Sequence, residues 1–511
     1  MKFRSIFLIA VLTLFTSQAF TQKSKVDLKK LDKYYEQVVK EWGIPGMTVG
    51  IVKDGELIFS KGYGVKEEGK NDKPDGNTLY AIASNSKAFT SAIMAQLVQE
   101  GKLKWDDKVR DHLPYFALYD DYAAENATIR DILSHRIGLG TFSGDAIWYQ
   151  SDLTSEEIIK RIKFIEPAYE FRAGYGYSNL MYITAGEIIK TITGKSWSQN
   201  VKERFLDPLG MSRTITQLAK LDEVGNYATP HRLEEGKNIP IGWVNWEEIA
   251  ATGGLISSVE DMAKWMIFNL NNGIHHGDTL LTPASRNMVW MPHNNFYMNH
   301  TKPNDTETHF RSYGLGWSLS DYRGRMLVAH TGGYDGFITA VNLMPDEKLG
   351  VVVLTNGTKS PIGAVSRYTL DAFTGGNKKD WSADYLKRVE ANKARDTRIA
   401  DRKAARVTGT EPFLPLEAYT GTYYTDTYGN ITVAREGDKL TLNFEHSPAL
   451  NAKLAHWHYN IWEIKWNEPS AWFSFGTIQF TLDNNLNVTG IEFDVPNDDF
   501  WFEELNAKRV K

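Results

Sequence analysis

The alternation of apolar and polar positions changes period several times along this chain, and the changes divide it. From Val26 to about Ala372 strand-like and helix-like patterns are interleaved. Thr48–Val52 and Glu56–Phe59 flank Lys53-Asp54-Gly55 and predict a hairpin. Phe89, Ile93 and Leu97 then recur at helical spacing, with Gly101 as the stop. Phe337–Met344 and Gly350–Thr355 flank Pro345-Asp346-Glu347-Lys348 and predict two further strands. Strands near both ends of this stretch, with helices between them, predict an α+β domain whose antiparallel sheet is assembled from distant segments. Lys378–Arg406 differs: it carries charges of both signs and no Gly or Pro, which predicts a solvated connecting helix. From Pro412 the pattern shortens to strand-length aromatic runs, among them Tyr419–Tyr424, Ile431–Val433 and Lys439–Leu442. Turn signals such as Glu436-Gly437-Asp438 and Asp483-Asn484-Asn485 separate them. A small all-β domain of sandwich or barrel type is expected there.

At the start, Lys2 and Arg4 precede an apolar run, Ile6–Phe15, too short to span a bilayer, and Ser17-Gln18-Ala19 offers a cleavage site. A signal peptide over 1–19 is expected, with export to the periplasm or medium and no transmembrane segment after cleavage. The full division is then 1–19, a main domain over 26–375, a charged connector over 376–411 and the β domain over 412–511.

Composition narrows the chemistry. Across 511 residues, 58 Lys and Arg oppose 63 Asp and Glu, so nothing suggests a nucleic-acid partner. The absence of cysteine removes disulfides, thiol nucleophiles and Cys-type zinc sites together. His275-His276 and His456-x-His458 lack the helical His-Glu-x-x-His context, and no metal or cofactor is expected. No Gly-x-Ser-x-Gly occurs, which disfavours an α/β-hydrolase. Hydroxyl or carboxylate chemistry is the first place to look.

Ser84-Asn85-Ser86-Lys87 is the chain's single Ser-x-x-Lys. It follows the apolar Leu79–Ala83 and opens a helix, so serine and lysine share one helix face. A desolvated lysine can accept a serine proton, which an exposed one at neutral pH cannot. Tyr177-Ser178-Asn179 precedes a second apolar helix pattern. A tyrosine hydroxyl can relay a proton and an asparagine amide can hold a carbonyl. Tyr-x-Asn recurs at Tyr297 and Tyr428, so it means little alone. His330-Thr331-Gly332-Gly333 ends at a strand, where glycines let a substrate approach the backbone.

As an ordered set these three motifs resemble the penicillin-recognising serine hydrolases: class C β-lactamases, D-alanyl-D-alanine carboxypeptidases and related esterases. Thr128-Ile129-Arg130-Asp131-Ile132-Leu133-Ser134-His135, Asp207-Pro208-Leu209-Gly210-Met211 and Gly253–Met262 are similar to that family too. The resemblance implies a β-lactamase/transpeptidase-like sheet flanked by helices, with a helical lobe, and likens the β domain to lipocalin-like or barrel appendages. It implies Ser84 as nucleophile, Lys87 as proton acceptor and Tyr177 as relay. Asn179, His330 and Thr331 would bind substrate, and the backbone N–H groups of Ser84 and Gly333 would form the oxyanion hole. His330 stands where many β-lactamases have lysine, which weakens the hold on a substrate carboxylate. A peptidase on D-amino-acid or short peptides is expected first, then a carboxylesterase, then a β-lactamase. A non-catalytic penicillin-binding or cell-wall sensor is the competing class; its binding surface would be Trp457, Trp462, Trp466 and Trp472, although strand tryptophans are most often core.

Overall fold

The computed structural model describes residues 26–301, 304–376 and 379–510; the expected signal peptide lies outside the described residues. Helix α1 (Leu28–Trp42) begins where the Asp27 carboxylate accepts the N–H groups of Lys29 and Lys30, and stops at Gly43 in the left-handed conformation. Leu31, Tyr35, Val38, Val39 and Trp42 form one buried stripe along it. The stripe packs on an eight-stranded sheet built from β1 (Gly46–Lys53), β2 (Glu56–Gly64), β3 (Asn294–Asn295), β4 (Arg311–Tyr313), β5 (Ser318–Tyr322), β6 (Arg325–Tyr334), β7 (Phe337–Met344) and β8 (Leu349–Thr355). Their order is β2-β1-β8-β7-β6-β5-β4-β3, antiparallel throughout. The first hairpin therefore pairs with the strand ending at Thr355, as Val49↔Val353 and Ile51↔Val351 show.

Strand β8 is buried on both faces, and its alternation assigns the two layers. Val351 and Val353 join α1 and a later helix, Ile362–Thr374, on one side. Val352 and Leu354 join Val259, Met262 and Met266 of the helix Val259–Leu270 on the other. That second side continues into the helical lobe, whose centre is the helix Ser86–Gln99, buried from Ser86 to Leu97.

The connector is two helices, Trp381–Arg395 and Arg398–Ala404, and not the single solvated helix its charges suggest. Trp381 is 2% exposed and its indole N–H donates to Asp371 (2.7 Å), while Ser382 accepts the Trp42 indole N–H (3.1 Å). The first of the two helices thus docks on the main domain; the second buries nothing. Beyond it eight antiparallel strands run in sequence order from Gly421–Thr425 to Ala507–Arg509 and close into a barrel, the last strand pairing with the first as Tyr423↔Arg509. Closure leaves no free edge. Tyr423, Ile431, Leu442, Ile464, Ile478 and Phe480 are buried in its core. Among the described residues no helix is long and apolar enough to cross a membrane.

Replacing Trp381 with alanine should lower the unfolding free energy by about 3–5 kcal/mol, the usual cost of deleting a buried tryptophan. Chemical denaturation measures it, and a loss below about 1 kcal/mol would contradict the docking of the connector.

Candidate active site

Between sheet and helical lobe lies a cleft of about 390 Å³, lined by Ser84, Tyr177, Asn179, His330, Thr331 and Gly333 together. Lys87 stands behind Ser84, with no exposed surface. Ser84 sits in a single 3₁₀ turn, Ala83–Asn85, immediately before its helix. Ala83 carries φ +48°, a left-handed backbone rare for alanine that costs on the order of 1–3 kcal/mol and needs support around it. Support comes from Ile82 N–H donating to Leu255 O (2.9 Å) and from Asn85 Nδ2 donating to Thr339 Oγ1 (2.9 Å) on β7. Gly332 makes room for the turn: a Cβ there would lie 2.2 Å from Ile82 O.

Lys87 Nζ has three neighbours: Ser84 Oγ at 3.1 Å, Asn179 Oδ1 at 2.7 Å and Thr252 O at 2.8 Å. Asn179 Oδ1 and Thr252 O can only accept, so a neutral amine spends both N–H groups on them and turns its lone pair to the Ser84 hydroxyl. Complete burial drives the amine well below its ordinary pKa of 10.5, and the charge of Asp145 opposes that shift. Rings of Tyr177 and Tyr182 lie 4.8 and 5.3 Å from Nζ and close it off. The Tyr177 hydroxyl is out of solvent and makes no close hydrogen bond; desolvation keeps it protonated, with Ser84 nearby weakly favouring the phenolate.

Two of the expected substrate contacts line the cleft and are also bonded within the protein. Asn179 shares its oxygen between Lys87 and Thr252 Oγ1 (2.8 Å), and its Nδ2 donates to Asp145 (2.6 Å). It orients the lysine, and one amide proton remains for anything else. His330 is 5% exposed and internally engaged: Nδ1–H donates to Thr331 O (2.6 Å), so Nε2 accepts the Tyr313 hydroxyl (2.9 Å). Desolvation, then the charge of Lys87, pushes its pKa to about 3, leaving a neutral ring. Thr331 is exposed at the cleft.

Several further residues shape the site, and the sequence gives no functional role for them. Asp145 opens the four-residue helix Asp145–Trp148, too short for any periodicity. It is buried, accepts from Trp148 Nε1 (2.8 Å) and Asn179, and burial lifts its carboxyl to about 8. His135 lies in the family-like segment. It accepts Ser178 N–H (3.0 Å) on Nδ1 and sets its ring 4.4 Å from that of Tyr177, which fixes the tyrosine. Much of the remaining wall is aromatic, from Phe142, Trp148 and Trp246 and, from the barrel, Trp472 and Phe500, with Asp499 beside them. Of the four barrel tryptophans named as a candidate binding surface, Trp457 and Trp462 are buried, Trp466 is partly buried, and Trp472 faces the cleft.

The model of the Beta-lactamase family matches residues 31–375, and that of a Domain of unknown function (DUF3471) matches residues 405–509. Unguisins hydrolase ungD' of Aspergillus campestris (strain IBT 28561) is 31% identical over 437 residues, covering 81% of this chain and 79% of that protein. Among solved structures, the octameric penicillin-binding protein homologue from Pyrococcus abyssi matches with a TM-score of 0.62 at 21% identity, over 92% of this chain and 98% of that one. A D-stereospecific amidohydrolase from Streptomyces sp. matches with a TM-score of 0.55 at 21% identity, over 69% of this chain and 100% of that one.

An ionised Asp145 favours the protonated lysine, but burial keeps this carboxyl largely protonated until about pH 8. Asp145→Asn should therefore leave labelling of Ser84 by a fluorophosphonate unchanged below pH 7 and raise it relative to wild type above pH 8. A loss of labelling confined to the alkaline side would contradict this electrostatic role.

Proposed function

The chain belongs to the beta-lactamase family of serine hydrolases, and we propose that it cleaves an amide or ester through an acyl-enzyme on Ser84, acting as a peptidase on short peptides that contain D-amino acids. The observation that carries this reading is the buried amine of Lys87, which has both N–H groups engaged and Ser84 Oγ 3.1 Å away. As Oγ attacks the substrate carbonyl, its proton passes to Nζ and the carbonyl oxygen gains the charge. The backbone N–H groups of Ser84 and Gly333 receive that oxyanion. Tyr177 relays that proton from Nζ to the departing amine or alcohol and is itself left protonated; water then gives a proton to Nζ as it attacks the ester on Ser84, and that proton returns to Oγ as the acid leaves.

Hydrolysis of an amide of D configuration is supported by the name of one structural neighbour, a D-stereospecific amidohydrolase, and the relative named as an unguisins hydrolase supports hydrolysis. A carboxylesterase with the same machinery is the second reading. The neutral, internally bonded His330 favours it, because that ring offers no charge to a substrate carboxylate. The same consideration places β-lactam hydrolysis last. The proposal also puts the protein outside the cytoplasm, on the strength of the leader-like residues 1–19.

The test is labelling with a fluorescent penicillin and a fluorophosphonate, followed by turnover of a D-amino-acid peptide, a p-nitrophenyl ester and nitrocefin. Ser84→Ala should abolish labelling; labelling that survives would remove Ser84 from the mechanism. Lys87→Ala should slow acylation about 10²–10⁴-fold, the range for a lost general base. Turnover should rank peptide, then ester, then nitrocefin, and nitrocefin as the best substrate would overturn the peptidase reading.

A further inference from the structure

We propose that the barrel supplies a substrate subsite in which Asp499, flanked by Trp472 and Phe500, receives a protonated amine on a short peptide or aminoacyl compound whose scissile carbonyl lies at Ser84. This deepens the reading above and rests on it. All three residues line the same cleft as Ser84, so amine and carbonyl belong to one small substrate.

The barrel wall is held in place by contacts at several points. Trp501 Nε1 donates to Thr141 O (2.8 Å), and the Glu504 carboxylate accepts Gly144 N–H (2.6 Å) and the Ser143 hydroxyl. Phe500 packs 4.4 Å from Tyr149 between ring centres. Asn497 Oδ1 accepts the N–H groups of Asp499 (2.9 Å) and Phe500 (2.6 Å), while its Nδ2 donates to Val495 O and Phe500 O. That turn fixes the backbone from which Asp499 projects. Trp472 reaches the catalytic strand itself: a Cβ on Gly333 would lie 3.2 Å from its Cη2.

The charge balance of the cleft identifies the guest. Its lining holds two carboxyl groups, Asp145 and Asp499, and neither Lys nor Arg. Asp145 is occupied by Trp148 and Asn179. The Asp499 side chain has no hydrogen bond or ion pair among the described residues, though burial and Asp498 beside it raise its carboxyl to about 6. At pH 7 it is therefore ionised, partly desolvated and without a counter-ion. An ammonium group supplies that counter-ion and meets the faces of aromatic rings, which attract cations. A free substrate carboxylate would meet like charge instead.

The experiment measures protection of Ser84 from fluorophosphonate labelling at pH 7, where an α-amine (pKa about 7.7–8.0) is protonated. The protectants are D-alanyl-D-alaninamide and its N-acetyl derivative, both without a carboxylate. The free amine should protect at about tenfold lower concentration, the size of one partly desolvated cation contact. In Asp499→Asn the ratio of the two should fall toward one, and in Asp499→Lys an N-succinyl derivative should become the better protectant. Each ratio is read on one preparation, so a folding defect moves both protectants alike. A ratio near one in the wild type, or a preference that persists in Asp499→Asn, overturns the subsite. Failure of the phosphonate to label the wild type overturns the Ser84 reading itself.

Discussion

Everything in the cleft is arranged around a lysine amine kept away from water. A lysine at 0% exposure is tolerated only if its polar head is bonded and its charge is removed or matched. Here the amine meets an asparagine oxygen, a main-chain carbonyl and the serine hydroxyl, with two tyrosine rings closing the sides. Those requirements propagate outward. Asn179 must be held by Asp145 and Thr252, Asp145 must be held by Trp148, and the turn carrying Ser84 must be pressed against Gly332. The fold brings five separate segments to one point because a single buried amine has to be satisfied from several directions.

The parts legible in the sequence are those whose contacts are local or periodic. Ser84 and Lys87 are one helical turn apart, so their spacing alone puts hydroxyl and amine on one face. The hairpin at Lys53-Asp54-Gly55 and the strands around Pro345–Lys348 follow from turn chemistry, and the α+β plan from where strands and helices fall. Long-range contacts were not legible. Asp145 belongs to a helix of one turn, and His135 to a loop with φ +58°. Charge pattern describes the exposed face of the connector, while a single tryptophan, Trp381, decides that it docks. Sandwich and barrel have the same strand pattern. They differ only in whether the three-residue strand Ala507–Arg509 meets Gly421–Thr425.

Residue type alone also leaves unread how far two side chains are already engaged. Asn179 and His330 have the right chemistry to bind a substrate, and both line the cleft. Their hydrogen-bonding groups are largely used within the protein, however, and a sequence does not record how many of a side chain's bonds are already made. Those internal bonds fix geometry and set which charges the cleft can offer. The consequence for selectivity comes from subtraction: with His330 neutral and Lys87 committed to Ser84, the anion-binding capacity expected of a lysine-bearing third motif is missing.

The position of the barrel wall in the chain has a consequence for how the protein can be divided. Trp472, Asp499 and Phe500 come from the final tenth of the sequence, yet they line the same cleft as Ser84. Barrel and main domain also share one continuous apolar core, which takes in Trp148 and Trp246 on one side and Phe500 and Phe502 on the other. A boundary drawn along the chain therefore does not separate the two parts in space. Truncation before the barrel would keep Ser84 and Lys87 but open both the cleft and that core to water.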